Sequence, residues 1–161
     1  MRFKVLAAVA GMLLLGGATS AEAQGVRFAP QLSFGEDSDL GIGGRVNFDL
    51  SSTFGSPGFN WISSFDYFFP GDNVNYWELN SNLGWTIPGV RGNVRPYVGG
   101  GLNYAHISFD NCAGDCGESE VGLNLMGGIN IGTRTKLMPF IEGRIELNGG
   151  EQFVLTGGLY F

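Results

Sequence analysis

Three groupings of side chains in this sequence could do chemistry. The first is His106-Ile107-Ser108, with Glu120 beyond the following loop. A serine hydroxyl beside an imidazole, with a carboxylate to orient the ring, is the set needed for nucleophilic hydrolysis of an ester or acyl bond. Hydrogen-bond geometry decides whether such a set works, and spacing alone does not supply it. A lone histidine at an interface is the plainer expectation, so no catalytic site is assigned. The second grouping is Cys112 and Cys116, in Asp110-Asn-Cys-Ala-Gly-Asp-Cys-Gly117. A soft-metal centre needs more ligands than this segment offers, and the single His is several residues away. In an exported chain the pair is expected to form a local disulfide that stiffens a surface loop. The third is a set of acidic loop residues, including Asp110 and Asp115. Hard cations favour clustered carboxylates, but the spacing here is not that of a calcium loop. Solvated acidic loops are expected, with weak divalent-cation binding as the alternative. No metal centre or cofactor is expected. There is no phosphate-binding loop, and a net charge of −6 with no nucleic-acid patch argues against nucleic acid as a partner.

The elements that would carry these residues are strands. Arg2 and Lys4 precede an apolar run from Val5 to Leu15, which leads to Ala21-Glu-Ala23 before Gln24. A basic head, a short apolar middle and an A-x-A exit read as a cleaved secretory signal peptide over 1–23. The run is well short of the ~20 residues that span a bilayer as a helix. Residues 24–161 then form one domain. They are rich in glycine (28 in the whole chain) and in aromatics, and they show alternate apolar positions rather than a helical period. An exported chain of alternating strands can enter lipid only as a closed barrel.

Eight segments of about ten residues each, the length of a tilted spanning strand, can be cut at turn residues. They run near Val26–Phe34, Leu40–Leu50, Phe59–Phe69, Tyr76–Ile87, Arg95–Ser108, Glu120–Ile131, Leu137–Asn148 and Phe153–Phe161. Ser51 to Gly58 is read as a plain turn, and Pro30 counts against a perfect ladder in the first segment. Period-2 alternation puts Leu40, Ile42, Val46 and Phe48 on one face, and Arg45, Asn47 and Asp49 on the other. In the last segment Phe153, Leu155, Gly157, Leu159 and Phe161 share a face.

That closing segment, ending on an aromatic residue, resembles the C-terminal signature of bacterial outer-membrane β-barrels. Arg95-Pro-Tyr-Val-Gly and Met138-Pro-Phe-Ile-Glu-Gly resemble the Pro-aromatic-x-x-Gly strand openings of the same proteins. The chain is therefore similar to the small eight-stranded outer-membrane barrels of Gram-negative bacteria (outer membrane protein A/X and opacity-protein type, a porin-like family with surface antigens). The resemblance implies an assembly signal at Phe153, Leu159 and Phe161, read by the barrel assembly machinery. It also implies residence among outer-membrane lipid and lipopolysaccharide, most simply as a monomer. Separately, His106-x-Ser108 loosely resembles the His-x-Ser pair of outer-membrane lipid A deacylases. That family carries its pair in a late strand; here it falls in the fifth.

Threading the eight segments with both ends in the periplasm gives an independent check. The outward loops and their margins carry Glu36, Asp37, Asp39, Asp72, Asp110, Asp115, Glu118, Glu120 and Glu151, and no Lys or Arg. The inward turns carry Arg91, Arg95, Arg134 and Lys136. Every remaining charge falls on a polar strand face, which matters because Lys or Arg facing mid-bilayer costs roughly 2–4 kcal/mol. Trp61, Trp85 and Phe161 fit one interfacial girdle, and Tyr67, Trp77 and Tyr104 the other. An eight-stranded barrel is filled by its own side chains. Arg45, Glu78, Glu142, Arg144 and Glu146 should then form a buried ion-pair network that closes the interior, so an open porin is not expected.

The expected fold is an all-β, eight-stranded antiparallel up-and-down transmembrane barrel after a signal peptide. The expected role is structural or surface-interacting in the cell outer membrane, not enzymatic. Two alternatives stay open: a lipid A-modifying hydrolase using His106 and Ser108, and a secreted lipocalin-like carrier whose apolar face lines a cavity.

Overall fold

The computed structural model describes residues 25–71, 74–109, 116–148 and 150–161. The expected leader over 1–23 lies outside them, as do Asp72, Asp110, Cys112 and Asp115. The described residues form strands β1 (Val26–Gly35), β2 (Asp39–Asp49), β3 (Phe59–Phe68), β4 (Val74–Thr86), β5 (Val94–Phe109), β6 (Gly117–Ile131), β7 (Met138–Leu147) and β8 (Phe153–Tyr160). Each pairs antiparallel with the next, and β1 with β8, so the sheet closes as a meander barrel. Closure removes the free edges that an open sheet would expose to lipid.

Side-chain parity follows from the pleat. Gln31, Ser33, Arg45, Ser64, Asp66, Glu78 and Asn80 are buried inside, while Leu32, Phe34, Leu79, Leu83, Leu123 and Leu125 stand exposed outside. Large apolar side chains are expensive to leave in water, at roughly 25 cal/mol per Å²; on this outer surface they form a band suited to hydrocarbon. Among the described residues, no charged side chain occupies an outward strand position. The outward aromatics touch along the strands and across them. Phe48 stacks on Trp61 at 5.0 Å, and Trp77 meets Phe65, Tyr104 and His106 at 5.9, 5.5 and 5.3 Å.

Several boundaries differ from the sequence reading. The segment read as a plain turn after β2 contains one helical turn, α1 (Ser51–Phe54), closed by Gly55 at φ 63°. This left-handed position suits glycine, which has no Cβ to clash. Strand β4 starts at Val74 rather than Tyr76, and β6 at Gly117 rather than Glu120. Both extensions come from β5, whose ladder runs from Val74↔Phe109 on one side and to Ser108↔Gly117 on the other. Pro30 is accommodated opposite Gly44. Beyond it the seam to β8 continues with Phe161 N–H donating to the Phe28 carbonyl at 3.0 Å.

Candidate functional site

The chemistry of this molecule is concentrated inside the barrel, where alternation sends the polar face of every strand. Arg45 on β2 reaches across to β7 and forms a two-pronged pair with Glu142, both contacts at 2.9 Å. Its Nε donates to Gln31 Oε1 at 2.5 Å, and its guanidinium lies 4.1 Å over the Phe140 ring. Tyr97 Oη donates to Glu142 Oε2 at 2.7 Å. Planar guanidinium and carboxylate match in geometry, so such forks are among the stronger polar contacts.

Arg144, two residues along the same face of β7, bridges two glutamates. Nη2 donates to Glu78 at 2.8 Å and Nε to Glu146 at 2.7 Å. Gln152 then donates from Nε2 to Glu78 at 2.7 Å and to Glu146 at 3.2 Å, while Tyr76 Oη donates to Glu78 at 2.7 Å. Asp66 accepts from Gln31 at 2.7 Å and from Ser33 at 2.8 Å. Among the described residues, two buried guanidiniums thus meet four buried carboxyl side chains, Asp66, Glu78, Glu142 and Glu146. Neutral donors cover the acids the arginines do not reach, which buried charge requires.

Apolar packing flanks this polar stratum. Ala29, Phe140 and Tyr160, with Met138 against them, cluster toward the end that carries the chain termini of the barrel. Ile62, Tyr97 and Met126 form a second cluster, and Phe68, Tyr76, Ala105 and Val154 a third toward the opposite mouth. The charged middle thus lies between apolar clusters on either side. An open cavity of about 200 Å³ lies over the last cluster, lined in part by Ser38, Tyr76, Ile107 and Gln152.

The five network residues singled out from the sequence are therefore brought together. Asp66, Gln31, Gln152, Tyr76 and Tyr97 belong with them and were missed. The signal that could have found them is parity: each lies on the inward face in the same alternation that placed Arg45.

The candidate hydrolytic residues are not brought together. His106 and Ser108 both point outward from β5, whereas Glu120 follows the inward parity of Gly122 and Asn124 on β6. His106 Nδ1 instead contacts Ser119 Oγ at 2.7 Å, its cross-strand partner, and the ring packs on Trp77. Ser108 lies opposite Asn75 and Gly117. Cys116 is described and not free, while Cys112 lies outside the described residues. The acidic residues Glu36, Asp37, Glu118, Glu120 and Glu151 are exposed at one end of the barrel. Arg27 and Asp49, expected on polar strand faces, are exposed at the opposite rim rather than in the packed interior. Arg27 there donates to Met138 Sδ at 3.4 Å, and Asp49 accepts from the Ser51 N–H at 2.8 Å.

A barrel of this strand number, polar within and apolar without, narrows the family, and the sequence decides it: the outer membrane protein beta-barrel domain family matches residues 6–142. The chain belongs to that family. Solved structures of family type share the fold. The N-terminal beta-barrel domain of Pseudomonas aeruginosa OprF superposes with a TM-score of 0.66 at 15% identity, covering 84% of this chain and 96% of that one. Neisserial surface protein A gives 0.58 at 12% identity, covering 84% and 94%. A de novo designed transmembrane beta-barrel gives 0.57 at 13% identity, covering 85% and 93%. A designed barrel fitting about as well as a natural one shows how far the likeness goes: it carries the fold and leaves the role to the site. No curated protein sequence matches the chain.

Proposed function

We propose that this outer membrane barrel is an integral outer-membrane protein with a structural or surface-interaction role, non-enzymatic, whose interior is closed rather than a diffusion pore. The observation that carries this reading is the Arg45–Glu142 and Glu78–Arg144–Glu146 stratum, with every charged group 2% exposed or less, between apolar clusters. The outward apolar band supports lipid embedding. It is the reverse of a lipocalin-like carrier, which needs that face inside. The acidic loops, facing lipopolysaccharide, are proposed to hold divalent cations weakly. A Cys112–Cys116 disulfide is proposed to stiffen the β5–β6 loop, and the terminal strand with Phe153, Leu159 and Phe161 to be read by the barrel assembly machinery. The protein is proposed to act as a monomer.

Liposome swelling tests the closed interior. Proteoliposomes in an isotonic small sugar should swell no faster than protein-free liposomes, while an open porin in parallel gives rapid swelling. Porin-like rates with this protein would contradict a closed barrel.

A further inference from the structure

Among the described residues, five cations are exposed at the rim opposite the acidic loops; four lie on one arc, and the fifth, Arg27 on β1, stands apart and donates to Met138 Sδ. The β4–β5 turn supplies Arg91, and the β6–β7 turn Arg134 and Lys136, all exposed; Arg95, at the start of β5, is exposed too but has the inward parity of Tyr97 and faces the barrel mouth. These turns are neighbours because β5 pairs with β6 from Val94↔Ile131 onward. They are also tied together: the Gly132 N–H donates to the Asn93 carbonyl at 2.6 Å, and Thr133 Oγ1 braces the second turn through Thr135. Neither turn contains Asp or Glu. The other turn on this rim, with α1, has no Lys or Arg between Ser51 and Gly58. Asp49 lies on that other arc, beside Ser51.

The same arc is apolar where it meets the band. Val90 is 49% exposed, Val94 41% and Leu137 43%, and Trp85 stands just above them at 38%. A cluster of cations directly beside apolar side chains and an interfacial Trp matches a lipid headgroup layer, where the chain buries carbon in acyl chains and pairs its charge with phosphate.

We propose that Arg91, Arg134 and Lys136 form a headgroup site that selects anionic phospholipid from the leaflet on this side of the barrel. The site rests on the reading of the chain as lipid-embedded. It places anionic lipid against β4–β7 and leaves the β2–β3 arc without preference.

Trp85 makes the site readable in place. In a Trp61→Phe/Trp77→Phe background it is the one Trp left in the sequence. The full barrel is reconstituted in mixed vesicles, and quenching of Trp85 by acyl-brominated phosphatidylglycerol is compared with that by acyl-brominated phosphatidylcholine. The expected preference is at least about fivefold for the anionic lipid at low salt, the scale of a single cation near an anionic surface. It should fall as salt rises from about 0.01 M to about 1 M and the screening length shrinks from about 30 Å to about 3 Å. The Arg91→Gln/Arg134→Gln/Lys136→Gln variant should lose the preference, and Arg91→Lys/Arg134→Lys should keep it. If the threefold variant does not insert, Arg91→Gln and Arg134→Gln/Lys136→Gln, made separately, should each lower the preference. Equal quenching by the two lipids in the parent, or a preference that survives the glutamines, overturns the site. A preference restored by adding Ser52→Lys and Thr53→Lys to the glutamine variant also overturns it, because net charge rather than this arc would then be responsible. Failure of the membrane reading is distinct: neither brominated lipid would quench Trp85.

Discussion

Arg144 sits between glutamates from different strands, and Arg45 faces a single one. The two arginines should therefore respond differently to loss of a partner. Removing one member of a buried pair strands the other charge, at about 3–5 kcal/mol, whereas replacing both by apolar groups is often close to neutral. Arg45→Met and Glu142→Leu should each destabilise the barrel by that order in urea titrations of folded protein in lipid. The double variant should be less destabilised than either single one, with a residual cost from Tyr97 and Gln31, which lose acceptor and donor partners. For Arg144→Met no single second change compensates, because Glu78 and Glu146 are both left behind. A double variant at 45 and 142 whose loss equals the sum of the singles would contradict the pairing.

At the scale of the strand, β8 offers a contrast between adjacent glycines. A Cβ at Gly158 would lie 2.5 Å from the Phe140 ring and 2.6 Å from the Pro30 carbonyl, inside the barrel. A Cβ at outward-facing Gly157 meets nothing nearer than the Phe140 carbonyl at 3.9 Å. Gly158→Val should cost about 1–3 kcal/mol by overpacking, and Gly157→Ala should be near neutral; comparing their urea midpoints checks both. This contrast also shows what the sequence makes legible. Alternation separates Gly157 from Gly158 without any structure, just as it sets Arg45 against Val46, because the pleat has a fixed period of 2. It does not say which ring fills the space beside Gly158, since that depends on register between β7 and β8. Gln152 shares the polar face of Val154 and Thr156 by parity, but its link to Glu78 spans 74 positions and leaves no local mark. The pairing of His106 with Ser119 rather than Ser108 has the same origin: cross-strand neighbours on one face replace sequence neighbours. The helical turn α1 was read as a plain turn because Ser51-Ser-Thr carries no apolar period to betray four helical residues.

Across the whole molecule, charge and hydropathy are sorted along two axes. Radially, ionised groups lie inside and large apolar side chains outside, so the barrel's stability depends on a hydrocarbon surround. Along the barrel, acids gather at one end and the Arg91–Lys136 arc at the other, giving each leaflet a different surface to meet. Whether the barrel is closed and embedded in lipid is tested by extracting membranes of expressing cells and running the membrane fraction on a gel with and without boiling. The protein should resist salt and carbonate, require detergent, and migrate differently unboiled, because a closed sheet stays folded in detergent until heated. Release by carbonate together with a single, boiling-independent band would contradict it.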